Sequence, residues 1–269
     1  MRSRALAVAV CLILICAGRV CAQAPDTVLL EELTWTEVRD LIGARSTTII
    51  VPVGGTEQNG PHMTLGKHNA RVKILSEKIA RALGNTLVAP VIAYVPEGQL
   101  NPATGHMRFP GTVTVPSETF QKVLEYAARS FKLHGARDVV FLADHGGTQA
   151  DLKAVAARLN REWAATPVRA HAIEEYHRAA VVEFPRLLSE RGYRKEELGL
   201  HAGLTDTSLM LAVDPSMVRP RRLRPESWPL GTSGVSGDPS RASAELGRLG
   251  VEMIVSRTAE AIRKSIARH

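Results

Sequence analysis

Along the chain, short apolar runs alternate with stretches whose hydrophobic residues recur every three or four positions. "TWTEVRDLIGAR" opens with Thr34-x-x-Glu37, a capping box, and predicts a helix. Residues 47–53, "TTIIVPV", form an apolar β-branched run, as expected for a strand buried on both faces. "NARVKILSEKIARALG" spaces Val72, Leu75, Ile79 and Leu83 at helical intervals and stops at Gly84. "TLVAPVIAY" predicts the next strand, and residues 95–116 form a long loop rich in glycine and proline. Beyond it come a helix with Ser117 as its cap, a strand "RDVVFLA" ending at Ala143, and a helix capped by Thr148. A strand "PVRAHAI" and a long C-terminal helix beginning near Ser240 complete the series. Such alternation implies a parallel or mostly parallel sheet with helices on both faces. Neither an internal repeat nor a linker divides it.

The first residues break this pattern. "MRSRALAVAVCLILICAGRVCAQA" has two arginines, an apolar run from Ala5 to Ala17, and small residues at Val20 and Ala22. That layout predicts a signal peptide over residues 1–22 and a single α/β domain over 23–269. The run is short for a membrane span. All three cysteines (Cys11, Cys16, Cys21) fall inside it, so the mature chain has no thiolate and no disulfide. Arg19 beside Cys21 fits lipidation poorly. The expected location is therefore periplasmic or secreted, with no membrane association once the leader is removed.

Composition then narrows the choice of function. The chain has 269 residues, 45% hydrophobic but only 4% aromatic, so aliphatic side chains must fill the core. Its net charge of +7 falls to +4 when Arg2, Arg4 and Arg19 leave with the leader. The one basic cluster (Arg219, Arg221, Arg222, Arg224) lies among prolines without aromatics, which reads as a solvated loop and not as a nucleic-acid surface.

Candidate chemistry gathers at the strand ends, where ligands of open α/β sheets bind. "EQNGPHMTLGKH", residues 57–68, follows the first strand and is too rich in Gly and Pro for regular structure. "DHGG", residues 144–147, follows another strand, and "HAGLTDTS" adds His201 and Asp206. Each histidine alone reads more simply as a loop or core residue. Their joint placement in three glycine-containing loops favours a divalent metal site for zinc, manganese or iron, with open positions for water. "GTSGVSG" follows no strand and has no lysine for phosphate, so it reads as a turn; Ser208 lacks a nucleophile elbow and reads as helix-surface polarity.

"PVGGTEQNGPHMTLGKH", "FPGT", "DHGG", "HAGLTDTS" and "GVSGDPSRASAELG", in this order over about residues 35–250, resemble the creatininase family of metal-dependent amidohydrolases. The resemblance implies a three-layer α/β/α fold with a mostly parallel central sheet. It also implies a homo-oligomer, often a hexamer, and two divalent metals activating water on the C–N bond of a small molecule. Glu57 and His145 match metal ligands of the family, and His201 matches its proton-transfer histidine. The chain departs from the family at Asn59 (usually histidine), at His68 (usually a bridging aspartate) and at Gly147 (glutamate in creatinine-hydrolysing members). Asp206 stands where many members have a glutamate.

These departures imply an altered centre. An imidazole offers one lone pair where a carboxylate offers two oxygens, so a single ion, held by Glu57, His68 and His145 with Asp206 as fourth ligand or water-orienting base, is expected over two. His201 and Asp206 are then the expected catalytic pair, and Asn59, His62 and His106 the substrate-facing polar groups. The expected activity is an exported C–N hydrolase acting on a small molecule other than creatinine. The other reading is a non-catalytic periplasmic binding protein that keeps the fold.

Overall fold

Strand β1 (Thr48–Val53) is buried at every position and lies inside the sheet, which is why its β-branched run carries no polar alternation. The computed structural model describes residues 26–44, 47–224, 226 and 233–268; the expected leader and its cleavage site lie outside the described residues. β1 pairs in parallel with β2 (Thr86–Val88) on one side and β3 (Asp138–Ala143) on the other. β4 (Arg169–Ala172) pairs in parallel with β3, giving the order β2-β1-β3-β4 among the described residues.

One face of the sheet, with Ile50, Val140 and Leu142, packs on α2 (Lys67–Leu83) and on α9 (Ala244–Ile266). The other face, with Ile49, Val51, Val139 and Phe141, packs on α3 (Ser117–Leu133) and α4 (Gln149–Glu162). The result is the expected three-layer α/β/α arrangement. Helix α1 (Trp35–Ala44) precedes the sheet. Its capping box is closed: the Thr34 N–H donates to Glu37 Oε2 at 2.7 Å and the Glu37 N–H to Thr34 Oγ1 at 3.4 Å.

Several local expectations are corrected. The second strand is only three residues long, because Pro90 has no N–H to continue the ladder. Chain contact with β1 resumes as an isolated bridge between Val53 and Ile92. Ser117 and Thr148 do not cap their helices. Ser117 instead donates to Asp151, and Thr148 donates to the His145 carbonyl.

Two further differences bear on function. Helix α2 begins at Lys67, so His68 belongs to its first turn and not to the irregular loop. "HAGLTDTS" likewise runs into a helix. Among the described residues between β4 and α9 lie four short α-helices that the periodicity did not reveal: α5 (Glu175–Arg178), α6 (Phe184–Glu190), α7 (Lys195–Leu198) and α8 (Leu204–Val213). A π-helical turn at Ala179–Glu183 joins the first two. Helix α8 has no separate polar face, burying Thr205, Thr207 and Ser208 as well as leucines, and packs closely on α9, where a side chain at Gly247 would meet the Ser208 carbonyl at 1.8 Å. Ser208 is buried, not surface-exposed, and accepts from the Ser243 N–H.

Arg219, Arg221 and Arg222 are exposed around a short turn at Pro220–Arg222, as a solvated loop requires. No helix among the described residues is long and apolar enough to cross a membrane.

Candidate metal centre

The carboxyl ends of β1 and β3 deliver their loops to one place. Glu57, four residues past β1, is fully buried and stands at its centre, dividing its two oxygens between two sets of partners. Oε2 faces His106 Nε2 at 3.1 Å and His145 Nε2 at 3.4 Å. Oε1 faces His68 Nε2 at 2.6 Å and His201 Nδ1 at 3.7 Å. A second buried acid, Glu97, reaches in from the long loop and places Oε2 3.1 Å from His145 Nε2.

Glu57, Glu97, His106 and His145 each offer one ligand atom, all within 4.8 Å of one another. Sequence reasoning missed Glu97. A signal existed, since it is the only acidic or basic residue between Arg81 and Arg108, histidine aside, and an isolated acid in an apolar loop needs a partner. Its position demands glycine nearby: a side chain at Gly55, whose φ is +155°, would meet Glu97 Oε1 at 2.8 Å.

Hydrogen bonding tests whether an ion fits here. Glu57 Oε2, both oxygens of Glu97 and His145 Nδ1 are buried without a hydrogen bond among the described residues. Buried carboxylate oxygens left in this way are expensive unless a cation is bound. Burial, with the charge of Glu57, pushes the Glu97 carboxyl up. Against its own burial, Glu57 is held well below the usual carboxylate range by His145 and His68. His145 is raised to about 9, its burial outweighed by the two glutamates. The residues fit a divalent ion.

The remaining side of Glu57 is built differently. His68 Nδ1 hydrogen-bonds Asp144, and Asp144 also accepts from Arg71 (Nη2 at 2.6 Å, Nε at 2.8 Å) and from the Tyr176 hydroxyl at 2.8 Å. Asp206 accepts from Arg71 Nη1 at 2.8 Å, from the fully buried Lys67 Nζ at 3.0 Å and from the Ala202 N–H at 2.9 Å. Lys67 and Arg71 hold Asp206 well below its ordinary pKa against its burial. Asp206 is therefore engaged by two cations and stands outside the ligand cluster, contrary to the expectation that it would join it.

Asn59 and His62 are corrected as well. Both are fully buried. The Asn59 amide donates to the carbonyls of Glu57 and Thr64 and so clasps its own loop. His62 Nε2 pairs with Thr207 Oγ1 at 3.0 Å beneath α8, and burial lowers its pKa to about 4. They shape the loop and do not face the cluster. His106 does face it, and its side chain is 28% exposed, the most open of the four.

Gln58 fixes the tautomers of the two solvent-side histidines. Its Oε1 accepts from the Gly60 N–H at 2.9 Å and its Nε2 donates to the Gly234 carbonyl at 2.9 Å, which sets the direction of the amide. Nε2 then donates to His106 Nδ1 at 3.0 Å, which places the His106 proton on Nε2. His201 donates from Nε2 to the Gln58 carbonyl at 2.9 Å, which leaves a lone pair on Nδ1 directed at the site.

Sequence and fold match known proteins along most of the chain. The creatininase family model, described as creatinine amidohydrolase, matches residues 31–262. The chain is 26% identical over 255 residues to the creatinine amidohydrolase of Pseudomonas putida, spanning 88% of this chain and 97% of that protein. It is 28% identical to a mycofactocin precursor peptide peptidase of Mycobacterium tuberculosis, over 76% of this chain and 79% of the relative. A mutant creatininase of Zn-Zn type superposes with a TM-score of 0.72 at 26% identity, covering 89% of this chain and 98% of the other. A manganese creatininase does so equally, with a TM-score of 0.72 at 26% identity over 89% and 99% of the two chains. The chain belongs to the creatininase family and is a metal-dependent amidohydrolase of three-layer α/β/α architecture.

Proposed function

We propose that this protein hydrolyses an amide or related C–N bond of a small molecule, with one zinc or manganese ion held by Glu57, Glu97 and His145. One observation carries the reading: two buried glutamates turn unsatisfied oxygens toward one imidazole at the sheet's carboxyl edge. An ion bound there would supply Lewis-acid polarisation of the substrate carbonyl and lower the pKa of a water ligand.

The chain's own residues do the rest. His201, kept neutral at pH 7 by burial and the Lys67 charge with its pKa near 4, presents an unprotonated Nδ1 lone pair to the site. It takes the proton of the attacking water there and returns it to the leaving nitrogen. Asp206 is a poor base because its charge is committed to Lys67 and Arg71, so proton transfer falls to His201. His106 can lend Nε2 to the ion only by giving up its bond with Gln58, so we assign it to the substrate. His68, locked between Asp144 and Glu57, orients the Glu57 carboxylate.

The relatives named above include a creatinine amidohydrolase and a peptide peptidase, both of which break C–N bonds, and a creatininase structure carries creatine. Gly147, where creatinine-hydrolysing members resemble one another in having glutamate, favours another amide. The leader supports export to the periplasm or beyond, and the resemblance supports a homo-oligomer, up to a hexamer.

The test is metal content by mass spectrometry together with hydrolysis of a panel of formamides, cyclic amides and short peptides by apo-, zinc- and manganese-loaded protein. Turnover that is lost on chelation and restored by either metal supports the assignment. A fully metal-loaded protein that binds panel members without cleaving any would overturn it in favour of a binding protein.

A further inference from the structure

Two halves of one buried cluster are neutralised by different means. On the Glu57 Oε2 side, the carboxylate oxygens of Glu57 and Glu97 are unsatisfied. On the Oε1 side, each carboxylate is saturated by this chain's own donors: Asp144 by Arg71, His68 and Tyr176, and Asp206 by Lys67, Arg71 and a backbone N–H. A second dication on that side would need oxygens from Asp144 or Asp206, and all four of these oxygens already accept from this chain's own donors.

Charge counting points the same way. The four acids Glu57, Glu97, Asp144 and Asp206, the first three buried and the last 18% exposed, face two fixed cations, Lys67 and Arg71. One divalent ion neutralises the two charges left over, whereas a second would leave an uncompensated dication in a buried, low-dielectric site.

We infer that Lys67 and Arg71, on the first turns of α2, are a built-in substitute for a second metal ion, and that Lys67 keeps the site mononuclear. This rests on the reading that an ion binds at Glu57, Glu97 and His145. Lys67 is a positioning residue in this scheme: its ammonium holds Asp206 in place and repels a further cation, without touching substrate. Arg71 has the larger structural share, because it alone spans Asp144 and Asp206. Lys67 is thus the residue to vary.

The experiment measures zinc and manganese bound per chain in native protein, in Lys67→Met and in Lys67→Arg, after equilibration with excess metal and gel filtration. The inference expects one ion in native protein and in Lys67→Arg, and a second in Lys67→Met, where Asp206 Oδ2 loses the ammonium and keeps only the Ala202 N–H. Native protein with one ion and Lys67→Met also with one overturns the inference and leaves the proposed function standing. Native protein with none overturns the metal reading itself. Should Lys67→Met fail to fold, electron paramagnetic resonance of native protein under excess manganese still decides. Isolated-ion spectra support the inference, and an exchange-coupled spectrum of paired ions overturns it.

Discussion

Glu97 Oε2 lies 3.1 Å from His145 Nε2, and neither Glu97 oxygen has a hydrogen bond among the described residues. The acid is held in place by the loop around it, so its charge is kept for the site. Glu97→Gln should therefore lower zinc and manganese affinity while leaving the fold intact. Groups that merely orient ligands change affinity by about 10–100-fold, and loss of a charged ligand should do at least as much. Competition with a coloured chelator measures it, and native affinity in the variant would remove Glu97 from the ligand set.

Gly55→Ala tests the same geometry without touching charge. The added carbon would meet Glu97 Oε1 at 2.8 Å, and the backbone φ of +155° disfavours any side chain. Loss of stability of about 1–3 kcal/mol from backbone strain, with weaker metal binding, is expected in urea unfolding and chelator titration. Gly43→Ala is the contrast. It lies in α1 with nothing within 4 Å of the new carbon and should stabilise by about 0.4–1 kcal/mol.

Arg71→Met should cost about 3–5 kcal/mol, because it leaves the buried Asp144 carboxylate without its guanidinium. Asp144 also predicts an acid dependence. Burial opposes its charge, but Arg71 and His68 hold its pKa well below the usual range. A depressed folded pKa stabilises fully above the unfolded value of about 3.9 and loses that contribution as the pH falls below it. Native Tm should thus fall between about pH 4 and pH 2, more steeply than that of Arg71→Met. Equal slopes would show that the pair does not govern acid stability.

Gly147→Glu should not by itself confer creatinine hydrolysis. A side chain at 147 would meet His145 Cε1 at 2.7 Å, so the ring must move before the new carboxylate can reach an ion. Reduced metal occupancy without creatinine turnover is the expected result in mass spectrometry and an enzyme-coupled assay for creatine. Efficient creatinine turnover would show that His145 tolerates the shift.

The mature chain should begin at Gln23, after Val20-x-Ala22. N-terminal sequencing of protein from the periplasmic fraction checks this, and a chain still starting at Met1 would refute the leader.

What could be read from the sequence was set by locality. Strands β1 and β3 and their loops were legible because buried parallel strands leave unbroken apolar runs, and these placed Glu57 and His145 at the same edge. Asp206 was misjudged because its role depends on Lys67 and Arg71, more than 130 positions away, and no local spacing reveals such a partnership. Glu97 was missed because no motif marks it. Asn59 and His62 looked like substrate groups because a polar side chain in a glycine-rich loop reads the same whether it faces a ligand or folds back on its own backbone. Helix α8 escaped notice because burial on all sides erases the amphipathic period.

The start of α2 has a thermodynamic consequence of its own. The first turn has no acidic residue and no side-chain cap, and it carries Lys67 and, one turn on, Arg71 at the positive end of the helix dipole. Cations there are unfavourable by about 0.3–1 kcal/mol each, so this turn holds its shape through Asp144 and Asp206 and against its own local preference. Amide hydrogen exchange over residues 67–71 becomes a gauge of the distant carboxylates. Protection there should fall when Asp206→Asn is introduced, while the rest of α2, anchored by Val72, Leu75 and Ile79 in the core, keeps its native exchange rates.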